Sequence, residues 1–317
     1  MSSSSLAPIC IFVYNRPQHT EKMLRSLMSN PLFEESEVFV FADGPKENAT
    51  EADIAKISDV RNIFEPLNKK PNITFRFSEK NRGLTDSIVS GISEIVNRYG
   101  KVIVIEDDLE LSSGFLKYMN DALNLYENED RVMHVGGYMV PHNKDLPETF
   151  FLRAPTIWGW GTWKRAWDKF EVNAGILLKS LEDKFGNDFS YELDVKGTYN
   201  YTKQLKDIAA GKLDTWDIQW SASIYLQNGL CLHPNNSLSR NNGFDGSGVH
   251  CYPSELFKNQ NLSPSSNVKF QPLELKATAL EAFTDFFKSQ NSEDEIIFLK
   301  KSGIKNRIKH AVKKLIR

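Results

Sequence analysis

The chain has few cysteines, no long apolar run and no glycine in the turn after its first apolar segment, and each shortage narrows what it can be. Three cysteines in 317 residues (Cys10, Cys231 and Cys251) are too few, and odd in number, for a disulfide framework, so a reducing, cytoplasmic setting is expected. No stretch approaches the ~20 apolar residues of a membrane span. The opening "MSSSSLAP" lacks both the basic and the apolar parts of a signal peptide, and none is expected. Internal repeats and long linkers are also missing. What remains, 40% hydrophobic and 25% charged residues, is the composition of an ordinary globular protein long enough for a large core.

Charge is unevenly placed. The formal net charge is −2, but eight of the 39 basic residues lie between Lys300 and Arg317, a stretch without an acid, which leaves 31 basic against 41 acidic residues in the body. An acidic body is a poor nucleic-acid binder, and no nucleic-acid partner is expected. In the tail, Ile304, Ile308, Ala311, Val312, Leu315 and Ile316 fall on one face of a helix and basic residues cover the rest. That pattern suits an anionic membrane surface, so peripheral attachment to the inner face of the membrane is expected of residues 291–317.

Along the body, short β-rich runs alternate with helical periodicity. "ICIFVY" (9–14), "EVFVFAD" (37–43), "ITFRF" (73–77) and "VIVI" (102–105) read as strands, and a further strand follows near 132–135. Between them, Met23, Leu24, Leu27 and Met28, then Ile54 to Ile63, then Leu84, Ile88, Val89, Ile92, Ile95 and Val96, and then 114–127 read as helices. The alternation predicts an α/β fold with a mostly parallel sheet whose strand C-termini share one ligand-binding edge. After about residue 140 the chain turns aromatic and glycine-rich ("IWGWGTWKRAW"), then helical near 198–211 and 216–228, then loop-like through "NNGFDGSGVHC".

Glu106, Asp107 and Asp108 directly follow the "VIVI" strand. Three adjacent carboxylates at the ligand edge of such a sheet suit a hard divalent cation that shares phosphate oxygens. The run "VIVIEDDLELSSGFLKYM" is similar to the corresponding stretch of the N-acetylglucosaminyltransferase I-like family and its bacterial, family 2-like relatives, which are GT-A-fold glycosyltransferases. The resemblance covers roughly residues 7–250 and is most specific at 102–119. It implies a GT-A fold, a mixed and mostly parallel sheet flanked by helices, and Mn²⁺ or Mg²⁺ as cofactor. The direct metal ligand would be Asp108, with Glu106 and Asp107 in the donor site.

The same resemblance sets Arg16 of "IFVYNRP" against the donor diphosphate, where a guanidinium can grip phosphate bidentately. It sets Asp43 of "FADG" near the uracil or ribose, although Asp-Gly-Pro is also ordinary turn chemistry and both readings stay open. In "EKNRGLTDS", Gly83 is either a turn or a helix start, and Arg82 beside it would face the donor. In "WGWGTWKRAW", the family pattern implies that Trp160 and Gly161 border the donor sugar. Trp163 and Trp167, four apart on a short helix, are expected to pack. "WDIQW" resembles the family's W-D-D-W element and implies Asp217 as catalytic base. Gln219 replaces the second acid, so the register is open and Asp214 is the fallback. His250 would sit on a glycine-rich loop near the diphosphate or metal; the paired Cys and His of "LCLHP" and "FDGSGVHC" lack ordinary zinc spacing.

The expectation is a single domain over 1–290, with a nucleotide-binding half at 7–140 and an acceptor half at 141–290. It would move a sugar, with inversion, from a nucleotide-diphosphate donor (UDP favoured) to a hydroxyl of a glycan or lipid-linked glycan, in bacterial surface polysaccharide synthesis. A sugar nucleotidyltransferase would need a glycine-rich loop where "VYNRPQHT" stands. A non-catalytic glycan-binding protein would have no need of the carboxylates.

Overall fold

The computed structural model describes residues 6–245 and 260–301, with residues 291–301 described as backbone only. Its centre is an eight-stranded sheet in the order β3-β2-β1-β4-β8-β6-β9-β7. β1 (Ile9–Val13), β2 (Val38–Ala42), β3 (Ile73–Phe77) and β4 (Lys101–Glu106) are parallel neighbours. β8 (Trp160–Trp163) runs antiparallel between β4 and β6 (Val132–Gly136). β9 (Leu230–Pro234) continues parallel to β6, and β7 (Thr149–Leu152) closes the edge antiparallel. The sheet is therefore mixed and mostly parallel, and it draws strands from both sides of residue 140.

Buried strands explain the near-continuous apolar runs, because both sheet faces are covered and alternate residues feed opposite cores. Ile9, Ile11, Val13, Ile103 and Ile105 join Met23, Leu24 and Leu27 of α1 (Pro17–Met28), Val60 of α2 (Glu51–Ile63) and Leu116, Met119 and Leu123 of α4 (Phe115–Leu125). On the other face, Cys10, Phe12, Val102 and Val104 join Ile88, Ile92, Ile95 and Val96 of α3 (Leu84–Tyr99). Trp167 of α5 (Lys164–Trp167) and Trp216 and Trp220 at α9 (Asp217–Leu226) complete that second core. Leu84, expected on the buried face of its helix, is 41% exposed.

The remaining elements thicken the second half. α6 (Ala174–Phe185), α7 (Phe189–Leu193) and α8 (Tyr201–Ala209) pack with α9 through Leu177, Leu181, Leu193, Leu205 and Ile218. α10 (Ala277–Lys301) lays Ala279, Ala282, Phe283 and Phe286 against Phe150 and Leu152 of β7. Its backbone runs unbroken across residue 290, where the tail was expected to begin. The amphipathic face from Ile304 onward lies outside the described residues.

"WGTW" is a strand, so Trp163 is not on the short helix expected to carry it with Trp167. Trp163 belongs to β8, and only Lys164–Trp167 turn helical. Gly159, at φ +74°, supplies the turn into that strand, a conformation that side-chain-bearing residues rarely adopt.

Candidate active site

Because β1 to β4 are parallel, their C-terminal ends bring Tyr14–Arg16, Asp43, Ser78–Gly83 and Glu106–Asp108 to one rim. Pro17 opens α1 directly after Arg16; its fixed φ and missing N–H suit the first helical position, so the strand-to-helix turn holds Arg16 at the sheet edge. The guanidinium of Arg16 donates through Nη2 to Asp107, and its Nη1 lies 3.1 Å from Asp108 Oδ2. Asp107 also accepts from the Tyr14 backbone N–H at 3.4 Å. Asp107 and Asp108 are both buried.

Here three adjacent carboxylates meet one guanidinium. Burial disfavours the charge on Arg16, yet Asp107 and Asp108 hold it firmly protonated. Burial and then the charges of Asp108 and Asp107 push Glu106 up to about 8, with a smaller push from Asp217 and a downward pull from Arg16. Burial also raises Asp107, against the pull of Arg16. Among the described residues, negative charge at this rim is under-compensated.

A short antiparallel ribbon closes over the cluster. β5 (Leu109–Leu111) pairs with β10 (Ser239–Asn241), and the Asn242 N–H then donates to the Asp108 carbonyl at 2.8 Å. Gly243 follows, folded back by its N–H to Asn241 Oδ1 at 2.7 Å. A Cβ on Gly243 would stand 2.6 Å from Asp108 Oδ2 and 3.2 Å from Arg16 Nη1. His19 Nε2 braces the same segment, 3.3 Å from the Asn242 carbonyl and 3.2 Å from Asp245 Oδ2. Gly243→Ala should therefore displace Asp108 or Arg16 and weaken nucleotide binding at least about tenfold while costing little fold stability. Parallel calorimetry and thermal melts would check this, and unchanged binding would show that the cluster tolerates the intrusion.

Asp43 is fully engaged by its own loops. Its carboxylate accepts from the N–H groups of Gly44 (2.8 Å), Arg82 (2.9 Å) and Gly83 (3.2 Å), and from Asn81 Nδ2 (3.0 Å). Of its two open readings, turn chemistry is the one whose contacts are displayed. Arg82 is exposed on the rim beside it.

Asp217 is the first residue of α9; it accepts from the Thr215 hydroxyl, and its carbonyl accepts from the Ser221 hydroxyl at 2.9 Å. The fallback, Asp214, is turned to the start of α3, where Thr85 Oγ1 donates to it at 2.7 Å. Only Asp217 of the two figures in the electrostatics of Glu106.

The expected division of the tryptophans needs correction. Trp160 is fully buried, stacked on His134 (5.1 Å) and Trp216 (5.3 Å), and Gly161 is buried in β8 opposite Ile103 and Val135. Both pack, as Trp163 and Trp167 do, because β8 is an interior strand between β4 and β6. The ring that reaches the rim is that of half-buried Trp158, against Tyr138 (4.3 Å) and Phe244 (5.4 Å). His250 lies outside the described residues. Trp158, His19 and the Asn241–Gly243 turn were given no site role from sequence, although "NNG" is a recognisable turn signal.

Residues 9–160, from β1 to the start of β8, match the model of glycosyl transferase family 2. The stretch that builds β1 to β4 and the carboxylate rim is thus similar to a family 2 glycosyltransferase, over just under half of the chain. The matched span includes Arg16, Asp43 and the Glu106–Asp108 triplet, whereas Asp217 and the helices of the second half lie beyond it. No curated protein sequence matches the chain significantly.

Solved structures with similar folds include the mannosyltransferase PcManGT from Pyrobaculum calidifontis in complex with GDP-Man and Mn²⁺, at 10% identity over 69% of this chain and 68% of that one, TM-score 0.38. TarS 1–349 of S. aureus shares 16% identity over 81% and 67%, TM-score 0.40. GalNAc-T7 with UDP, GalNAc and Mn²⁺ shares 10% over 72% and 42%, TM-score 0.43. Likenesses this distant fix no residue-by-residue correspondence. Among the described residues no helix is long and apolar enough to cross a membrane.

Proposed function

We propose that this protein is a metal-dependent, inverting glycosyltransferase that takes a UDP-sugar and transfers the sugar to a hydroxyl of a glycan or lipid-linked glycan in surface polysaccharide synthesis. The observation that carries the reading is the imbalance at the rim among the described residues: three carboxylates, with the charge of a fourth, Asp217, also felt there, against the guanidinium of Arg16.

Mg²⁺ and Mn²⁺ suit this chemistry, since such ions accept one or two carboxylates and complete their shell with phosphate oxygens and water. Among the described residues no group of three His, Cys, Asp or Glu side chains is arranged to hold a metal ion by itself. Asp108 would hold the ion, helped by Asp107, and when bound it would supply positive charge to the departing diphosphate. Arg16, already aimed at the same carboxylates, would add a second cation to that diphosphate. Arg82 and the loop shaped by Asp43 would flank the nucleotide.

Asp217 would accept the proton of the acceptor hydroxyl while the oxygen bonds to the anomeric carbon. The bond from that carbon to the diphosphate oxygen breaks on the opposite face, which inverts the configuration. The basic tail would keep the enzyme at an anionic membrane surface, near a lipid-linked acceptor.

A calorimetric titration of the full-length protein with UDP, with and without Mn²⁺, tests the donor half of this reading. Binding that requires the ion is expected. No binding of UDP, or binding indifferent to the ion, would overturn the UDP and metal assignments.

A further inference from the structure

Beyond the carboxylates lies a largely apolar cleft of about 540 Å³, open space at its entrance included, bounded by the residues after β7 and by helices α7 to α10. Ser221 and Tyr225 line it, and on α9 they stand four and eight residues beyond Asp217, one and two turns along the same helical face. The cleft therefore follows α9 away from Asp217, and Tyr225 lies roughly 12 Å down the helix from it at 1.5 Å per residue. Tyr201, on another wall, feels the charge of Asp217, and so does Glu106 at the rim. Asp217 is thus within electrostatic reach of the carboxylate rim and one turn of α9 from Ser221, which lines the cleft and donates to its carbonyl.

At the far end is Arg153. Its guanidinium lies over the ring of Tyr225, 5.5 Å from the centroid, and its Nε is buried without a hydrogen-bond partner. The one acid lining the cleft, Glu192, is taken by Lys196. Arg153 forms no ion pair among the described residues, which leaves the cleft one net positive charge. A partly buried guanidinium with a spare donor is costly to keep unless something with matching oxygens arrives.

We propose that this cleft is the acceptor subsite and that Arg153 recognises an anionic group, carboxylate or phosphate, carried by the acceptor glycan. The inference rests on Asp217 as the base and adds a substrate class to that reading. The acceptor hydroxyl sits at the Asp217 end, the anion at the Arg153 end, and the apolar walls with Tyr201 take the sugar faces between them.

Ligand-observed NMR titrations of full-length wild type, Arg153→Gln and Arg153→Lys with methyl β-glucuronide, glucose 6-phosphate and methyl β-glucoside test it. UDP with Mn²⁺ is titrated in parallel. Wild type should bind at least one of the anionic sugars about tenfold or more tighter than the glucoside. Which one binds distinguishes a carboxylate from a phosphate. Arg153→Gln should erase the preference, Arg153→Lys should retain part of it, and UDP binding should be unchanged in both. The subsite is overturned if the glucoside binds equally well, if neither anionic sugar binds, or if the preference survives in Arg153→Gln. Should Arg153→Gln also lose UDP binding through misfolding, the lysine variant decides: a preference undiminished there counts against the proposal. Wild type that binds UDP but no anionic sugar sinks only the subsite; wild type that binds no UDP sinks the donor reading itself.

Discussion

Asp217→Asn should leave UDP binding intact and lower sugar transfer by about 10²- to 10⁴-fold, the range that a positioned general base contributes. The replacement is nearly isosteric. Its side-chain carbonyl can still accept from Thr215, and its backbone carbonyl still receives the Ser221 hydroxyl, so the first turn of α9 should hold. Only the ability to take a proton is removed, together with the smallest of the influences that push Glu106 upward. Asp214→Asn is the matched comparison, because Asp214 is committed to Thr85 at the start of α3. Its transfer rate should stay near wild type. A fall in Asp214→Asn with little change in Asp217→Asn would move the base one turn of chain earlier and reverse the assignment.

Asp108→Asn should have effects of opposite sign on function and stability. Neutralising one of three clustered acids leaves Glu106 and Asp107 facing Arg16, and the like-charge repulsion that raises Glu106 is relieved. The melting temperature should therefore hold or rise. Metal-dependent UDP binding should be lost, because an amide oxygen is a far weaker ligand for a hard cation than a carboxylate. Such a trade between stability and activity is expected where acids are gathered for a ligand rather than for the fold. A variant that melts well below wild type would mark Asp108 as a structural acid. A variant that keeps Mn²⁺-dependent UDP binding would place the ion elsewhere.

The first half of the sheet was legible because each of its elements carries its own periodic signal. Ile9 to Val13 and Val102 to Ile105 are apolar at every position since both faces are covered, and Ile88, Ile92, Ile95 and Val96 repeat at helical spacing against them. The gathering of strand ends at one rim then followed from parallel connections alone. β8 was not legible: "WGTW" becomes a strand by pairing with Ile103 and Val135, partners far away in sequence, and the local pattern allows a turn or helix equally well. The same limit hid the site's internal contacts. The pairing of Arg16 with Asp107 joins residues 91 apart. The engagement of Asp43 depends on where the loop at 81–83 comes to lie. The β5–β10 ribbon has three residues a side, too short to leave a periodic trace, yet it sets Gly243 beside Asp108.

The buried indoles have an optical consequence. Trp160 lies in β8, Trp167 in α5, and Trp216 and Trp220 at the start of α9, with centroids 5.3, 6.2 and 6.1 Å from Trp160 for Trp216, Trp167 and Trp220. Chromophores this close exchange excitation, so their emission and near-ultraviolet circular dichroism belong to the group rather than to single rings. Two of the four ride on the helix that begins at Asp217, and one sits in the strand bonded to β4. A shift of that helix relative to the sheet changes the spectrum, and the enzyme carries an unlabelled gauge of the distance between its two halves.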